Sequence, residues 1–389
     1  MVFIWQWCTC RETKKTKGDM KNIKDVVCSD DDDNNKKPRS SWKAMANHLK
    51  RRIAVVLLVA FAFSCLVLSK QSLYPDPPPS PSSFSASASA SVAMANHTIS
   101  HQGNFDNYDL ENVLRAASME NKTVILTTLN EAWSEPGSIF DLFLESFKIG
   151  DNTQKLLNHL VIITLDHKAH ARCLSIHPHC FALKSHGLNL SSEAFFMTPN
   201  YLEMLWARIH FLSTILHMGY NFIFTDTDIM WIRDPFLHFY EDADFQIACD
   251  IYNGHPFDRK NKPNGGFNYV KSNKRTMEFY KFWYLSRKAY PGLNDQDVLN
   301  KIKHDPFIAK LGLQMRFLDT AYFGGFCART KNFNSVCTVH ANCCIGLEVK
   351  AHDLKIVLED WRRFLLIPPN LKPSSSFSWR APQKCRHHL

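Results

Sequence analysis

The sequence predicts an α/β fold on a parallel, doubly wound sheet, and three observations predict it. Short apolar runs of strand length alternate with segments of helical period between residues 123 and 225. Each helix-like segment separates two strand-like runs, the order that calls for crossovers between parallel strands. Two carboxylates, Asp226 and Asp228, leave the end of one such run, where open α/β sheets bind their ligands.

The elements follow in chain order. Thr123–Leu129 (TVILTTL) reads as a strand, and Ser138–Ile149 (SIFDLFLESFKI) as a helix with Gly150 behind it. Leu160–Leu165 (LVIITL) is a second buried strand. Thr198-Pro199 opens a helix that runs to Met218 and is closed by Gly219. Tyr220–Thr225 (YNFIFT) is the strand that delivers the acidic pair, with Asn130 at the corresponding end of the first strand as a further ligand-facing candidate. In the helix before it, Tyr201, Leu205, Arg208, Leu212 and Ile215 share one face, while Glu203, His210, Thr214 and His217 share the other. Arg208 therefore lies within the apolar stripe, where a guanidinium needs anionic partners. A structural salt bridge, a snorkelling side chain and a contact to an anionic ligand all satisfy that need.

The N-terminal part has a different character. Residues 1–52 carry 13 Lys/Arg against 7 Asp/Glu, including the acidic run Asp30–Asp33. Residues 53–69 (IAVVLLVAFAFSCLVLS) have no charge, with Lys50, Arg51 and Arg52 before them and Lys70 after. This asymmetry predicts a transmembrane signal-anchor with a cytosolic tail at 1–52 and the bulk of the chain across the membrane. Such a helix spans about 25 Å against a hydrocarbon core of about 30 Å, which suits a thin early-secretory or Golgi-type bilayer. The polar leader argues against a cleaved signal peptide, whose apolar core begins near the start of a chain. Pro, Ser and Ala dominate residues 71–93, so 70–104 reads as an extended stem and 105–389 as the folded domain. The tail holds most of the chain's net charge of +9, so the basic balance gives no argument for nucleic acid binding.

Eight of the twelve cysteines follow the anchor: Cys173, Cys180, Cys249, Cys327, Cys337, Cys343, Cys344 and Cys385. In an oxidising lumen that even number points to disulfides, with Cys173 and Cys180 near enough in sequence to pair. Zinc is the alternative for the segment RCLSIHPHC, which also holds His177 and His179. Glycosylation acceptors at Asn96, Asn121 and Asn189 all fall on the predicted lumenal side.

The chemistry concentrates at FTDTDIMWIRDPF. Neighbouring carboxylates repel unless a cation or hydrogen-bond donors neutralise them. A hard divalent cation does so and can hold a diphosphate at the same time, as a nucleotide-sugar enzyme requires. Further along, KPNGGFNYVKSN places Gly265 and Gly266 before a short strand, as a site of close backbone approach or as a hairpin turn. In GLNDQDVLNKI, Asn294 is a helix N-cap with Asp295, Gln296 and Asp297 in the first turn. His340, in SVCTVHANCC, is either structural or a third protein ligand beside the acids. No GxGxxG and no GxxxxGK[ST] occurs, so dinucleotide and P-loop readings lack their motif.

FTDTDIMWIRDPF, NGGFNYVKSN, DQDVLN and HANCC, in that order, resemble the plant nucleotide-diphospho-sugar transferase family (glycosyltransferase family 77) over roughly residues 105–370. The resemblance implies a GT-A fold with a mixed sheet, Golgi residence with type II topology, and transfer of arabinose or xylose from a nucleotide donor, UDP-linked, to a cell-wall glycan or glycoprotein. It makes Asp226 and Asp228 the acidic metal motif, with Mn2+ as the usual ion and His340 as the C-terminal ligand. By the same analogy Asp295 contacts the donor sugar and Gln296 lies beside its anomeric carbon. Arg208 becomes a donor contact within the catalytic set, and stereochemistry is retained; Asn130, Gly265 and Gly266 join Asp226 as donor-binding candidates on their position alone. Two other classes remain: a phosphatase of the haloacid-dehalogenase type, which FTDTDIM also resembles, and a catalytically silent relative that anchors another transferase.

Overall fold

The computed structural model describes residues 109–183, 197–330, 332–372 and 377–385. The predicted tail, anchor and stem, with Asn96 and Asn189, lie outside these residues. Among the described residues no helix is long and apolar enough to cross a membrane.

Residues 109–117 are helical and lead into the first strand. The strands are β1 (Thr123–Leu129), β2 (Leu160–Thr164), β3 (Cys180–Ala182), β4 (Asn221–Thr225), β5 (Ile229–Trp231), β6 (Phe245–Ile251), β7 (Lys262–Val270), β8 (Met315–Phe317), β9 (Phe323–Gly325) and β10 (Thr338–His340). The helices are α1 (Glu131–Ser134), α2 (Ile139–Ile149), α3 (His167–Ile176), α4 (Pro199–His217), α5 (Lys274–Ser286), α6 (Asp295–Ile302), α7 (Pro306–Leu311) and α8 (Leu347–Leu365). The main sheet runs β3-β2-β1-β4-β7-β6-β8. Neighbours from β3 to β4 are parallel, β7 is antiparallel to both β4 and β6, and β8 returns parallel to β6. The expected parallel βαβαβ unit is thus the first half of a mixed sheet.

Burial explains why these strands are apolar on both faces, with only threonines and Asn221 interrupting the runs. Ile125, Ile162 and Ile223 project to one face, against Phe140, Phe143 and Phe147 of α2 and Trp361 of α8. Val124, Leu126, Val161, Phe222 and Phe224 project to the other, against Ile209 and Leu212 of α4 and Trp283 of α5. With both faces covered, alternation disappears and each strand becomes a continuous apolar run. On α4 the predicted stripe is buried at Leu205, Arg208, Leu212 and Ile215 and half-buried at Tyr201, while Glu203, His210 and His217 are exposed and Thr214 is half-buried. Thr198 caps α4 by accepting from the N–H of Tyr201, with Pro199 in the first turn.

Two sequence expectations need correction. Gly265 and Gly266 do not precede a strand or form a hairpin turn; they lie inside β7. The ladder pairs Ile247 with Asn268 but Cys249 with Pro263, so one residue of β6 faces four of β7. This bulge carries Asn264, Gly265 and Gly266 out of the ladder, a use of glycine that resembles a turn in sequence. Zinc at Cys173 and Cys180 is also overturned, because the two form a disulfide across α3 and β3. His177 directs Nε2 at the carbonyl of Leu160. Two more disulfides, Cys327–Cys343 and Cys344–Cys385, tie the segment after β10, while Cys249 and Cys337 are free and buried.

Candidate active site

The end of β4 and a short second sheet build the site together. Beyond Thr225 the chain turns through Asp226–Asp228 into β5, which pairs antiparallel with β10 so that Ile229 faces His340. The N–H of Ala341 donates to the carbonyl of Asp228 at 3.1 Å. This register sets the imidazole beside the acids, although far apart in sequence. One ligand atom each from Asp226, Asp228 and His340 lie within 4.8 Å of one another. The WIRDP segment anchors the turn instead of facing the cleft. Trp231 stacks on Phe147 at 4.7 Å and donates Nε1 to Thr225, and Arg233 donates to the carbonyl of Val336.

A cleft of about 420 Å³ opens over the cluster, within the range of about 300–1,000 Å³ usual for small-molecule sites. Every sequence-predicted site residue outside the glycosylation sites reaches it: Asn130, Arg208, Asp226, Asp228, Gly265, Gly266, Asp295, Gln296 and His340. It lies between the carboxyl ends of β1 and β4, where the strand order reverses, as the ligand-site rule for such sheets requires. Asn130 also caps α1 by accepting from the N–H of Trp133. Asn121 is exposed, with its side chain accepting from the N–H of Thr123.

Arg208 finds the anionic partners its buried position demands. Nη1 donates to Asp226 at 3.0 Å and Nη2 to Asp295 at 2.5 Å, so one guanidinium fork joins the end of β4 to the first turn of α6. Asn294 caps that turn by accepting from the N–H of Asp297. Asp228, 2% exposed at its side chain, meets His340 Nε2 at 3.2 Å and Lys350 Nζ at 2.7 Å. Burial opposes its charge, but Lys350 and His340 hold the carboxyl well below the usual range. For Asp226 burial wins, helped by the charge of Asp228, and its pKa rises in spite of Arg208. Burial disfavours the imidazolium of His340, yet contact with Asp228 outweighs it and raises that pKa. The result is an acidic centre balanced by cations on both flanks.

Sequence reasoning missed Lys350, one turn into α8, and Asp250, near the end of β6, both of which line the cleft. Nothing in the local sequence distinguishes Lys350 from a surface lysine. Asp250 carried a signal, because it leaves the apolar run FQIAC as Asp226 leaves its own strand. Trp133 also lines the cleft, with Lys350 Nζ 5.5 Å from its ring centre.

The sequence model of nucleotide-diphospho-sugar transferases matches residues 155–354, half of the chain and the whole region from β2 to α8 that holds the metal-type cluster. The chain belongs to this family. As a nucleotide-diphospho-sugar transferase it is an enzyme that depends on a nucleotide-sugar donor. An uncharacterized protein of Arabidopsis thaliana is 50% identical over 277 residues, covering 71% of this chain and 73% of that one. A second Arabidopsis thaliana protein, also uncharacterized, is 39% identical over 277 residues, with coverage of 69% and 80%. Among solved structures, mouse xyloside xylosyltransferase 1 superposes with a TM-score of 0.37 at 15% identity, covering 57% of this chain and 98% of that one. The galactosyltransferase LgtC gives 0.39 at 12% identity, with coverage of 64% and 99%. Asp226 is paired to Arg208 and Asp228 to Lys350 and His340.

Proposed function

We propose that this transferase is a metal-dependent, retaining glycosyltransferase of glycosyltransferase family 77. In this reading it moves arabinose or xylose from a UDP-linked donor to a cell-wall glycan or glycoprotein. The observation that carries the reading is the Asp226–Asp228–His340 cluster sharing one cleft with the Arg208–Asp295 pair.

The residues fit a divalent cation. Two carboxylates and an imidazole suit a hard ion such as Mn2+. A Cβ at Gly266 would stand 2.5 Å from Asp226 Oδ2 and 2.7 Å from His340 Cε1, so the glycine keeps open the space these side chains share. Asp226, Asp228 and His340 would hold the ion, which when bound supplies positive charge opposite the departing diphosphate. Arg208 and Lys350 add fixed positive charge on either flank of the cluster. Asp295 is held by Arg208 in position to accept from donor sugar hydroxyls. Gln296, its neighbour, faces the transferred sugar, and Asn130 and the Gly265–Gly266 bulge border the donor. Retention, which the family resemblance implies, would follow from acceptor attack on the face the diphosphate leaves. The anchor at 53–69 and a Golgi location belong to the same reading, which the exposed side chain of Asn121 suits.

The test is incubation of the purified full chain with a panel of nucleotide sugars, simple acceptors and Mn2+. Turnover of UDP-arabinofuranose or UDP-xylose that disappears in Asp228→Ala, with the melting transition retained, supports the reading. Phosphate release without sugar transfer would sink it. A folded wild-type chain that binds UDP and turns over no donor would favour the silent anchoring role.

A further inference from the structure

Asp250 makes three side-chain hydrogen bonds, and all three donors are neutral amides. Oδ1 accepts from Asn264 Nδ2 at 2.9 Å and from Asn342 Nδ2 at 2.7 Å, and Oδ2 accepts from Gln296 Nε2 at 2.9 Å. Cys327 Sγ lies 3.4 Å from Oδ1, but its disulfide leaves it no proton to donate. The amide donors come from the β7 bulge, the loop after β10 and the first turn of α6, and all line the cleft with Asp250. Among the described residues no cation lies within ion-pair distance of this carboxylate.

The other end of each amide is also fixed. Asn264 Oδ1 accepts from the N–H of Gly266 at 2.9 Å, Gln296 Oε1 from Gly265 at 3.0 Å, and Asn342 Oδ1 from Cys327 at 3.1 Å. A backbone N–H can only donate and a carboxylate can only accept. Each amide therefore has one permitted orientation, with its NH₂ toward Asp250 and its oxygen toward the chain. Asn264 takes part in shaping the bulge that carries Gly265 and Gly266, and Gly265 in turn lies within 3.5 Å of Asp295 Oδ2 measured from where its Cβ would be. One carboxylate thus sets the geometry of three walls of the cleft.

We propose that Asp250 is a positioning residue for glycosyl transfer, fixing the amide orientation of Gln296 and, through Asn264 and Asn342, the frame around the transferred sugar. The inference rests on the reading of Gln296 given above. Asp250 acts through Gln296, whose NH₂ it engages while Oε1 accepts from Gly265, so this cleft-lining amide is held in one orientation. The substitution Asp250→Asn keeps the shape but cannot accept at both ends. One of the two terminal atoms must then donate, and at least one of the three amides must turn or lose its partner.

Two measurements on the full chain test this. In steady-state kinetics with Mn2+ and the donor that the wild type turns over, Asp250→Asn should lower kcat by roughly 10- to 100-fold, as small misplacements in a transfer site do, with donor KM changed by less than about threefold. In a Gln296→Ala background the same substitution should cost less than about threefold, because the introduced amide can then keep its oxygen toward Asn264 and Asn342 and turn its NH₂ to the space Gln296 vacates. Effects that simply multiply, or a change confined to donor KM, would overturn the proposal. The second measurement needs no turnover. In chain labelled with ¹⁵N at glutamine side chains, the Gln296 NH₂ resonance, identified by its loss in Gln296→Ala, should exchange slowly with solvent in the wild type and rapidly in Asp250→Asn. Fast exchange in the wild type would refute the positioning role even if transfer is observed, and slow exchange would uphold it even if the sugar assignment fails.

Discussion

Gly266→Ala gives the most discriminating test of how the site is packed. Neither Gly265 nor Gly266 has a left-handed backbone, so alanine is sterically permitted by the chain itself and only the surroundings decide the outcome. At Gly266 the new methyl would lie 2.5 Å from Asp226 Oδ2, 2.7 Å from His340 Cε1 and 3.0 Å from Asn264 Oδ1. The first of these is roughly 1 Å inside ordinary contact. Neither neighbour can swing away freely. Asp226 is held through Oδ1 by Arg208 and through its N–H by the carbonyl of Gly266, and the His340 ring is held by Asp228. Overpacking of this kind costs about 1–3 kcal/mol. If the strain displaces the two candidate ligands, cation affinity falls by about 5- to 150-fold. At Gly265 the added Cβ meets Asp295 Oδ2 at 3.5 Å and Arg208 Nη2 at 3.6 Å, which is ordinary contact. Titration calorimetry with Mn2+, paired with thermal melts, should show weakened binding in Gly266→Ala and near-wild-type cation affinity in Gly265→Ala. Equal affinities in the two variants would refute the argument that Gly266 keeps the cluster open.

Other consequences follow from the same residues. Arg208→Met removes the one cation that, among the described residues, lies within ion-pair distance of Asp295, whose side chain is 3% exposed; breaking such a buried pair costs about 3–5 kcal/mol. Differential scanning calorimetry should show a melting temperature lower by roughly 10 °C, and a loss under about 2 °C would mean the pair is not desolvated as described. Asp353 on α8 is fully buried, which favours its neutral form, yet the N–H groups of Cys385 and Gln383, the imidazole of His352 at 3.0 Å and the N–H of Lys384 outweigh that and depress its pKa. With the folded value below the ordinary 3.8, its stabilisation is complete above that ordinary value and is lost as pH falls through the folded one. Limited pepsin digestion from pH 5 down to pH 2 should therefore show faster cutting near Cys385 toward the acid end, and Asp353→Asn should show it across the whole range. The digestion is normalised to a denatured control at each pH and read on reducing gels, because Cys344–Cys385 tethers the fragment.

How far the sequence announces this architecture depends on the range over which each signal acts. The strands β1, β2 and β4 declare themselves because both their faces are buried, so apolar residues fall on both faces of each run and no knowledge of the partner is needed. Arg208 is legible for the opposite reason: one charge on an otherwise apolar helix face must be paired, and Asp226 and Asp295 are the pair. His340 is placed by the β5–β10 register, a pairing between distant segments that no local pattern encodes. The β7 bulge misled the reading because glycine is used alike in a turn and in a bulge, and only the antiparallel ladder with β6 tells them apart. Asp250 is the instructive case. It ends an apolar strand as Asp226 does, but a lone carboxylate there lacks the like-charged neighbour that makes Asp226 and Asp228 conspicuous. Its role comes from three amides on separate elements, each with its other end already engaged by a backbone N–H. A strand-end acid in such a sheet therefore marks the ligand side of the fold, and which task it performs is decided by the donors that tertiary structure brings to it.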